Sequence, residues 1–568
     1  MIHRHQLLIV GGGLAGLRAA VEALSMGVDC AVVSLVHPVR SHTIAAQGGI
    51  NASLANHPDA QEDNWEKHAF DTVKGSDYLG DQDAIRVMCQ DAPACIYEME
   101  HWGCPFSRFD SGTIAQRPLG GAQYARACFA ADRTGAYLLH TAYERAVSLG
   151  LKVYSEYSVQ DLVADDGRIE GLVAYSLLTG QIEGFSAQAV LFATGGAGRV
   201  YGRSTSALIN TGTGMSLAYR AGVPLLDMEF VQFHPTTLYG TNILMTEGCR
   251  GEGGTLLNDA GERFMEKYAP NFMELAPRDV VARSIQTEVN EGRGIGGQPY
   301  VHLDLRHLGK AIVEERLPGI RDICIHFAGI DPEEDPIPVQ PGQHYSMGGI
   351  AADLDGRTCL TGFFAAGECA CVSVHGANRL GGNSLLETVV FGKRAGAEAA
   401  AYALGAAGQE ARPGLVEKAM DRFRAKLESL LGNQGTENAY DMRREINIAM
   451  DDYVQVFRDH AGLEAALQTL RDLKERHSRV GVQATERLYN LDWIRTLELE
   501  RMIDMALAGC AGASARQESR GAHKRTDYPS RDDERWLKHT VATYTEDGPS
   551  LSFKPVVVDQ FQPQARTY

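Results

Sequence analysis

LLIVGGGLAGLRAAVEALSMG, residues 7 to 27, is the stretch that decides the fold class. Four apolar residues run into the glycine-rich turn GGGLAG at 11 to 16, and the residues after the turn repeat apolar side chains at helical spacing. A second apolar run, CAVV at 30 to 33, follows. A strand, a G-x-G-x-x-G turn, a helix and a second strand together indicate a dinucleotide-binding unit of the Rossmann type. In such a unit the amides at the start of the helix receive a pyrophosphate.

The end of the second strand bears on which dinucleotide is bound. An acidic residue about twenty positions after the glycine turn would hold a ribose hydroxyl of NAD. Here Ser34 ends the strand instead and is followed by Leu35. A serine hydroxyl can still hydrogen-bond an adenosine ribose. The absence of an acidic residue at this position therefore argues against NAD more strongly than against FAD.

The composition restricts the class of protein. The chain has 568 residues, 44% of them hydrophobic, so a globular protein of two to four domains is expected. The formal net charge of −18 argues against nucleic acid as the main partner. The 11 cysteines show no CxxC, CxxCH or zinc-type spacing, which favours a reducing compartment and argues against a metal, an iron–sulfur cluster or a c-type haem held by this chain. No apolar run is long enough to span a membrane, and the first strand begins by residue 7, so the chain is expected to be cytosolic or held at a membrane by other chains.

The order of patterns along the chain predicts four units. The strand-into-glycine pattern returns in AVLFATGGAG at 189 to 198 and in GFFAAGE at 362 to 368, so the FAD-binding domain is predicted to be discontinuous, over 1 to 235 and 345 to 405. Residues 236 to 344 lack a further phosphate loop and are predicted to form an inserted α+β capping domain. After a linker at 405 to 414, apolar residues at helical spacing predict a helical bundle over 413 to 525, with helices at 416 to 430, 442 to 457 and 463 to 470. Residues 526 to 568, with four prolines, predict a small C-terminal domain that is irregular or contains strands. The predicted fold class is therefore α/β, with a Rossmann-like domain, a capping domain, a helical bundle and a tail domain.

A histidine occupies the loop after the second strand. In VRSHTIAAQGG, residues 39 to 49, Ser41 and Thr43 flank His42, and these neighbours are too small and too polar to belong to a hydrophobic core. In flavoproteins of this build the same loop reaches toward the isoalloxazine ring. We therefore expect His42 to face a flavin.

Longer motifs carry a resemblance to a known family. They are RSHT with AAQGG, QFHPTTL at 232 to 238, TEGCRGEGG at 246 to 254, RDVVARSI at 278 to 285, HYSMGGI at 344 to 350, HGANRLGGNSLLE at 375 to 387 and ESRGAHKR at 518 to 525. Together they resemble the flavoprotein subunit of succinate dehydrogenase and fumarate reductase. The resemblance extends from the first strand to the terminal Arg-Thr-Tyr.

The resemblance implies that FAD is bonded covalently to His42 through its 8α-methyl carbon. Such a bond withdraws electron density from the flavin and raises its reduction potential, which matters because succinate is a weak reductant. Thr213 stands where the family commonly has an aspartate. The residues expected at the cofactor are Gly11, Gly12, Gly13, Leu14, Ala15, Gly16, Ser34, Leu35, Ser41, His42, Thr43, Gln47, Gly48, Gly49, Thr213, Glu368, Ser384 and Leu385.

The resemblance also implies the substrate site. Succinate or fumarate would be bound by His234, Thr246, His344 and Arg379, and the planar guanidinium of Arg379 matches a carboxylate with two parallel hydrogen bonds. Arg283 is implied as the group that takes the proton from succinate, and in reverse it would protonate fumarate. Glu247 and Arg250 are implied as the relay that connects to it.

The predicted function is oxidation of succinate to fumarate by hydride transfer to FAD. The chain has no motif for a further redox centre, so an iron–sulfur subunit and membrane anchor subunits that bind quinone are implied as partners by the resemblance. The expected location is the cytoplasmic side of a prokaryotic inner membrane, peripheral and held by those subunits.

The direction of the reaction stays open between two alternatives. Gln47 in AAQGG favours succinate oxidation, whereas YVHLDLRHLG at 300 to 309 is more like the fumarate reductases. L-Aspartate oxidase, which has a residue other than histidine at the flavin-linking position, is a more distant alternative. A catalytically silent FAD-binding scaffold is another.

Overall fold

The computed structural model of the chain describes residues 1–406, 412, 414–433 and 435–567, and a seven-stranded sheet lies at its centre. The strands follow one another in space as Lys152–Ser155, Cys30–Ser34, Ile2–Val10, Ile182–Phe192, Arg168–Ser176 and Tyr157–Asp165, with Phe363–Ala365 beside the second half of Ile182–Phe192. Pairing is parallel from Lys152–Ser155 to Ile182–Phe192 and antiparallel beyond it. The two glycine-terminated strands predicted near 189 and 362 therefore join the sheet of the first strand.

Helices cover this sheet, and two of them approach each other closely. Gly392 and Gly396 of the helix Asn383–Gly405 face the first helix, and a Cβ atom on Gly396 would lie 2.5 Å from the Cα atom of Ala19. Small residues at this contact let both helices bury apolar faces on the sheet. The helices of this domain are Leu14–Ser25, Trp65–Gly75, Gln82–His101, Thr134–Ser148, Thr213–Arg220 and Asn383–Gly405, and its small outer sheet has the strands Ile50–Asn51, Ala127–Cys128 and Gln116–Arg117.

The inserted region has its own sheet. Its strands are Val231–Leu238, Ile337–Ser346, Val301–Asp304 and Thr255–Leu257, and its helices are Glu247–Gly251, Met265–Tyr268, Arg278–Asn290, Lys310–Arg316 and Pro318–Ala328. The two strands that carry the chain across 235 and 344 pair antiparallel with each other. The chain thus leaves and re-enters the FAD-binding domain at adjacent places, on strands that bear His234 and His344.

The C-terminal part begins with four helices, Leu415–Gly432, Ala439–Tyr453, His460–Arg476 and Leu491–Ala515. The predicted second helix was extended too far, because Phe457 lies in the short strand Phe457–Arg458, which pairs with Lys524–Arg525. The longest helix, Leu491–Ala515, was not singled out by periodicity, because it is buried around most of its circumference and so shows no apolar stripe. The predicted boundary at 413 and most of the predicted linker lie outside the described residues. Among the residues described, none of the helices combines the length and apolar character needed to cross a membrane.

The tail domain adds a hairpin to the body of the protein. The strands Lys538–Thr543 and Ser550–Pro555 extend a small sheet formed by Ala370–Cys371, Gly349–Ala351 and Leu225–Leu226, and a short helix, Asp533–Trp536, precedes them. The fully buried ring of His539 fixes this hairpin. Its Nδ1 lies 2.6 Å from Asp227 Oδ2, and its Nε2 lies 3.0 Å from Asp81 Oδ1.

Candidate active site

An elongated cavity runs from the glycine turn, past the carboxyl ends of the parallel strands, to the inserted domain. Ligands of open parallel sheets bind at this edge. At one end the cavity is lined by residues predicted at the cofactor, and at the other by residues predicted at the substrate. The predicted residues that line it are Gly11, Gly12, Gly13, Leu14, Ala15, Ser34, Leu35, Ser41, His42, Thr43, Gln47, Gly48, Gly49, Thr213, Glu368, Ser384, Leu385, His234, Thr246, Glu247, His344 and Arg379.

The glycines at positions 11, 13 and 16 of the turn are required for different physical reasons. Gly11 has φ +108°, and a Cβ atom on it would lie 2.1 Å from the carbonyl oxygen of Ala193, so the turn needs glycine there. Gly16 is outside the lining formed by the described residues; a Cβ on it would lie 2.0 Å from the carbonyl oxygen of Gly11, so it permits helix and turn to pack. A Cβ on Gly13 would meet its nearest neighbour, Thr43 Oγ1, at an ordinary 3.5 Å.

The space beside Gly13 is therefore left for a ligand. Gly13 caps the helix Leu14–Ser25, whose first turn carries no acidic residue within the described chain. The positive end of that helix is open to an anion. These features fit the pyrophosphate of FAD.

His42 begins a turn of 3₁₀ helix, His42–Ala45, at the middle of the cavity. Its Nδ1 accepts a hydrogen bond of 3.2 Å from the backbone N–H of Ala207, which leaves Nε2 for a group in the cavity. Burial lowers the pKa of His42 to about 4. The imidazole is therefore neutral at physiological pH.

Two other predicted cofactor residues make contacts that bear on their roles. Thr213 Oγ1 lies 3.0 Å from Thr211 Oγ1, so a pair of hydroxyl groups stands where the family commonly places a carboxylate. Glu368 Oε1 accepts a hydrogen bond of 3.0 Å from the N–H of Ser346. Burial raises the pKa of Glu368 to about 7.

At the other end of the cavity, buried donors converge without protein partners. His234 Nδ1 lies 3.2 Å from the backbone N of Thr236 and 3.1 Å from the carbonyl oxygen of the same residue, so the Thr236 backbone occupies Nδ1, and Nε2 donates in the tautomer whose Nδ1 accepts from the N–H. That Nε2, and Nε and Nη2 of Arg379, have no hydrogen-bond partner among the described residues. Burial, with Arg278 nearby, lowers the pKa of Arg379 to about 9. A buried donor with no protein partner is costly, so these three atoms indicate a site for an anion with several oxygens.

The second histidine of this end is also neutral. His344 Nδ1 lies 2.8 Å from Thr205 Oγ1, and its ring meets the ring of His234 edge-on at 5.0 Å between centroids. Burial, the neighbouring His234 and Arg278 hold the pKa of His344 well below its usual range. Neutral imidazoles can donate to a carboxylate without placing further positive charge beside the arginines.

An arginine outside the set of predicted site residues also belongs to this site. Arg278 lines the cavity, and its Nε and Nη2 donate to Glu247 Oε2 at 2.9 and 2.6 Å. Its Nη1 donates to Gln232 Oε1 at 3.2 Å. Glu247 is fully buried, which by itself raises its pKa, but Arg278 and Arg250 hold the pKa below its usual range.

Arg250 lies behind Glu247, outside the cavity lining that the described residues form. Its Nη2 is 3.9 Å from Glu247 Oε1, and its Nη1 donates to the carbonyl oxygen of Glu274. Arg278, Glu247 and Arg250 thus form a buried line that leads away from the cavity. The structure brings together the predicted relay residues, with Arg278 at their inner end.

Arg283 requires a correction, because it does not reach the cavity that the described residues line. Its Nη1 donates to the carbonyl oxygen of Gly521 at 2.7 Å, and its Nη2 pairs with Asp279 at 2.9 Å. The reason is helical geometry: five residues turn a helix by about 500°, which puts Arg283 about 140° away from Arg278.

The sequence does contain a signal for Arg278. Val281, Ala282 and Ile285 are buried, and they follow Arg278 at three, four and seven positions, so Arg278 lies on the buried face of its helix. Arg283 is off that face. Other lining residues that were not selected lie on the loops after glycine-terminated strands, such as Thr194, Gly195, Asn210 and Thr211.

Comparisons with known proteins identify the family of the chain. Residues 6–385 match the FAD binding domain family, and residues 443–568 match the family of the fumarate reductase flavoprotein C-terminus. The chain is 46% identical to the succinate dehydrogenase flavoprotein subunit of Coxiella burnetii, covering 100% of this chain and 99% of that one. It is 43% identical to the fumarate reductase flavoprotein subunit of Mycobacterium tuberculosis, with both chains covered completely.

Solved structures give the same result. A structure of Escherichia coli quinol fumarate reductase superposes with a TM-score of 0.96 at 40% identity, covering 100% of this chain and 99% of that one. A Mycobacterium smegmatis Sdh1 structure superposes with a TM-score of 0.86 at 35% identity, covering 99% of this chain and 96% of that one. The chain is an FAD-dependent oxidoreductase that belongs to the family of succinate dehydrogenase and fumarate reductase flavoprotein subunits.

Proposed function

We propose that this chain oxidises succinate to fumarate in the cavity, with fumarate reduction as the reverse reaction at the same site. The observation that carries the proposal is the set of unpartnered buried donors on His234 and Arg379 beside the Arg278–Glu247 pair. A dianion of four carbons offers carboxylates to such donors. Its central carbons then lie between the arginine pair and the flavin end of the cavity.

The substrate carboxylates divide between the two groups of donors. Arg379, whose Nε and Nη2 are unpartnered among the described residues, suits a bidentate contact with one carboxylate, and His344 and the Thr246 hydroxyl complete the binding of the dianion with His234. Because these donors come from the inserted domain and from the FAD-binding domain, one bound substrate molecule would contact both domains. Burial strengthens each contact.

FAD, when bound, supplies the acceptor for the hydride that leaves one methylene carbon of succinate. Arg278 takes the proton from the other methylene carbon. Its Nε and Nη2 already donate to Glu247, so Arg278 can release a proton to that carboxylate as it accepts one from the substrate. Arg250, whose Nη2 lies 3.9 Å from Glu247 Oε1 on the side away from the cavity, takes the proton on only as it releases one of its own, so the three residues together relay one proton outward.

We also propose that FAD is bonded to His42 through its 8α-methyl carbon. The support is the neutral imidazole, whose Nδ1 is occupied by the N–H of Ala207 and whose Nε2 is left for the bond. An imidazole alkylated at Nε2 keeps its acceptor at Nδ1, so that hydrogen bond suits the bonded state as well. Ser34, Thr213 and Glu368 would hold the rest of the cofactor.

The partners follow from the chemistry. Electrons must leave the flavin, and the described residues contain no group of three or more histidine, cysteine or acidic side chains that could hold a metal ion. An iron–sulfur subunit and quinone-binding anchor subunits are therefore proposed as partners, with the chain peripheral on the cytoplasmic side of a prokaryotic inner membrane. The net charge of −18 disfavours nucleic acid.

Fumarate reduction as the physiological direction is the second candidate. The resemblance to a quinol fumarate reductase structure, at 40% identity over 100% of this chain, favours it, while Gln47 favours succinate oxidation. Sequence identities of 46% and 43% to relatives of the two names do not separate them.

The test is a pair of assays on the complex purified with its partner subunits. Succinate oxidation is measured with an artificial dye, and fumarate reduction with a reduced viologen, with L-aspartate as an alternative substrate. We expect turnover with both C4 dicarboxylates and none with L-aspartate. Turnover with L-aspartate but not with succinate would overturn the proposal.

A further inference from the structure

Gln232 lies directly behind the two arginines of the site without reaching the cavity lined by the described residues. It belongs to the strand Val231–Leu238 and is 1% exposed. Its Oε1 accepts from Arg278 Nη1 at 3.2 Å, and its Nε2 donates to the carbonyl oxygen of Arg379 at 2.7 Å. One buried amide thus contacts both the arginine that transfers the proton and the residue that binds a carboxylate.

The amide can serve both partners in one orientation. A guanidinium only donates and a carbonyl oxygen only accepts, so the amide oxygen must face Arg278 and the amide nitrogen must face Arg379. The same nitrogen also donates to Asn378 Oδ1 at 3.0 Å, and Asn378 Nδ2 donates to the carbonyl oxygen of Gly75 at 3.1 Å. The chain of bonds therefore runs from the helix of Arg278 into the FAD-binding domain.

Arg278 is held on two sides by these contacts. Glu247 accepts from Nε and Nη2, and Gln232 accepts from Nη1, so the plane of the guanidinium is fixed where Arg278 lines the cavity. From this geometry we infer that Gln232 is a positioning residue: it sets the separation and orientation of Arg278 relative to the carboxylate bound at Arg379. The inference rests on the proposed role of Arg278.

The neutrality of Gln232 matters as much as its shape. Arg278 already pairs with one carboxylate, Glu247. A second carboxylate at position 232 would stabilise the cationic guanidinium further and would oppose its release of a proton to Glu247, which has to accompany the uptake of a proton from succinate. It would also face the carbonyl oxygen of Arg379 and the Oδ1 of Asn378 without a proton to donate. A glutamine satisfies every contact and adds no charge.

Two variants separate the effect of side-chain shape at position 232 from the effect of its charge. Gln232→Met removes all three side-chain hydrogen bonds and keeps the side-chain volume, and Gln232→Glu keeps the shape and adds charge. Gln340→Met is the matched control, because Gln340 is a buried amide of the same sheet whose Nε2 bonds to Asn242, away from the two arginines. Flavin content and thermal melting of the purified complex are measured first for each variant.

Succinate kinetics and the binding of malonate, read from the flavin absorbance, then distinguish positioning from substrate binding. For Gln232→Met we expect kcat to fall ~10- to 100-fold, since small misplacements of a reacting group have effects of that size, with the malonate Kd changed less than about threefold. For Gln232→Glu we expect the rising limb of the kcat–pH profile to move up by about one unit. Gln340→Met should leave both measurements unchanged.

Failure of the inference and failure of the proposed function give different results. If Arg278→Lys loses turnover while both Gln232 variants behave like Gln340→Met, the inference about Gln232 is wrong and the function stands. If Arg278→Lys retains turnover, the proposed function of Arg278 is wrong. If Gln232→Met does not fold, the kcat and pH profile of Gln232→Glu decide alone, and an unshifted profile at wild-type kcat rejects the inference.

Discussion

Arg278 and Arg283 lie on one helix, and their guanidinium groups are bound on different sides of it. Arg278 donates to Glu247 at the cavity, whereas Arg283 donates to the carbonyl oxygen of Gly521 and pairs with Asp279, away from it. The pair allows a direct test of which arginine takes part in proton transfer, because both can be replaced in the same way on the same helix.

Arg278→Lys should reduce succinate turnover by at least ~100-fold, the usual scale for losing a positioned acid–base group. A lysine cannot donate to Glu247 and to Gln232 in the fork geometry of a guanidinium. Steady-state assays with an artificial dye measure the loss, and malonate binding checks that the site still accepts a dicarboxylate.

Arg283→Lys is the control for that experiment. It keeps the ion pair with Asp279 and loses the bond to Gly521, so we expect turnover within about threefold of wild type and a stability loss of ~1 kcal/mol. A large loss of turnover in Arg283→Lys together with normal turnover in Arg278→Lys would restore the sequence-based assignment and reject the structural one.

The fold could be predicted because its signals are local. The strand that runs into Gly11 and the helix after it follow from the periodicity of neighbouring residues, and Gly11 itself is required by its positive φ. The return of the chain to the first sheet after the inserted region could also be predicted, since the strand-into-glycine pattern occurs again there. The helix Leu491–Ala515 left no such signal, because it is buried around most of its circumference, with Glu498, Arg501 and Asp504 among its buried residues, and so has no apolar stripe.

The site could be predicted only in part, for a different reason. His234, His344 and Arg379 stand in distinct motifs and are brought together by the pairing of two distant strands and by the Arg379 loop. The assignment of Arg278 to the site depends on which face of its helix is buried. By residue type alone, Arg283 in the same motif is an equally plausible arginine. The role of Gln232 depends on its contacts with Arg278 and with the carbonyl oxygen of Arg379, which are distant in the sequence. No local sequence pattern predicts such contacts.

His42→Ser should yield a complex that binds FAD without retaining it through denaturation. A denaturing gel imaged for flavin fluorescence should show a bright wild-type band and a dark variant band. Succinate oxidation should fall at least ~10-fold, because an unbonded flavin has a lower reduction potential, while fumarate reduction by a strong artificial donor persists.

The matched control for the linkage is His37→Ser. His37 lies in the same loop region but packs on Tyr143, with ring centroids 5.3 Å apart, and is absent from the cavity lining that the described residues form. Its variant band should stay fluorescent. Fluorescence in the His42→Ser band would show that the flavin is attached to another residue.

Gly13→Ala and Gly16→Ala should fail in different ways. At Gly13 the backbone φ of −74° accepts alanine and the new Cβ meets protein atoms at 3.5 Å or more, so the chain should fold with a wild-type melting temperature. The Cβ would occupy the space of the pyrophosphate, so FAD content should drop at least ~10-fold.

At Gly16 the new Cβ would lie 2.0 Å from a carbonyl oxygen, so folding itself should suffer. The flavin-to-protein absorbance ratio and circular dichroism melting separate the two outcomes. Wild-type flavin content in Gly13→Ala would mean that the anion binds elsewhere.

The tail hairpin should make stability depend on pH through His539. Burial lowers the pKa of this histidine, but Asp227 and Asp81 outweigh it and raise the pKa to about 9. A group whose pKa is raised on folding stabilises the folded state fully below its unfolded value, near 6.5, and loses that contribution as the pH rises through 9. The largest contribution is about 3 kcal/mol, since one pKa unit corresponds to about 1.4 kcal/mol.

His539→Gln removes this contribution, so the difference in melting temperature between wild type and variant should be largest near pH 6 and should shrink toward pH 10. Calorimetric melting of both proteins across that range measures it, and taking the difference cancels the titration of other groups. His140→Gln, on the exposed face of the helix Thr134–Ser148, provides the control, with a small difference at every pH. Parallel melting curves for wild type and His539→Gln from pH 6 to 10 would mean that the Asp227–His539–Asp81 contact holds no charge, and that the hairpin is fixed by packing and neutral hydrogen bonds.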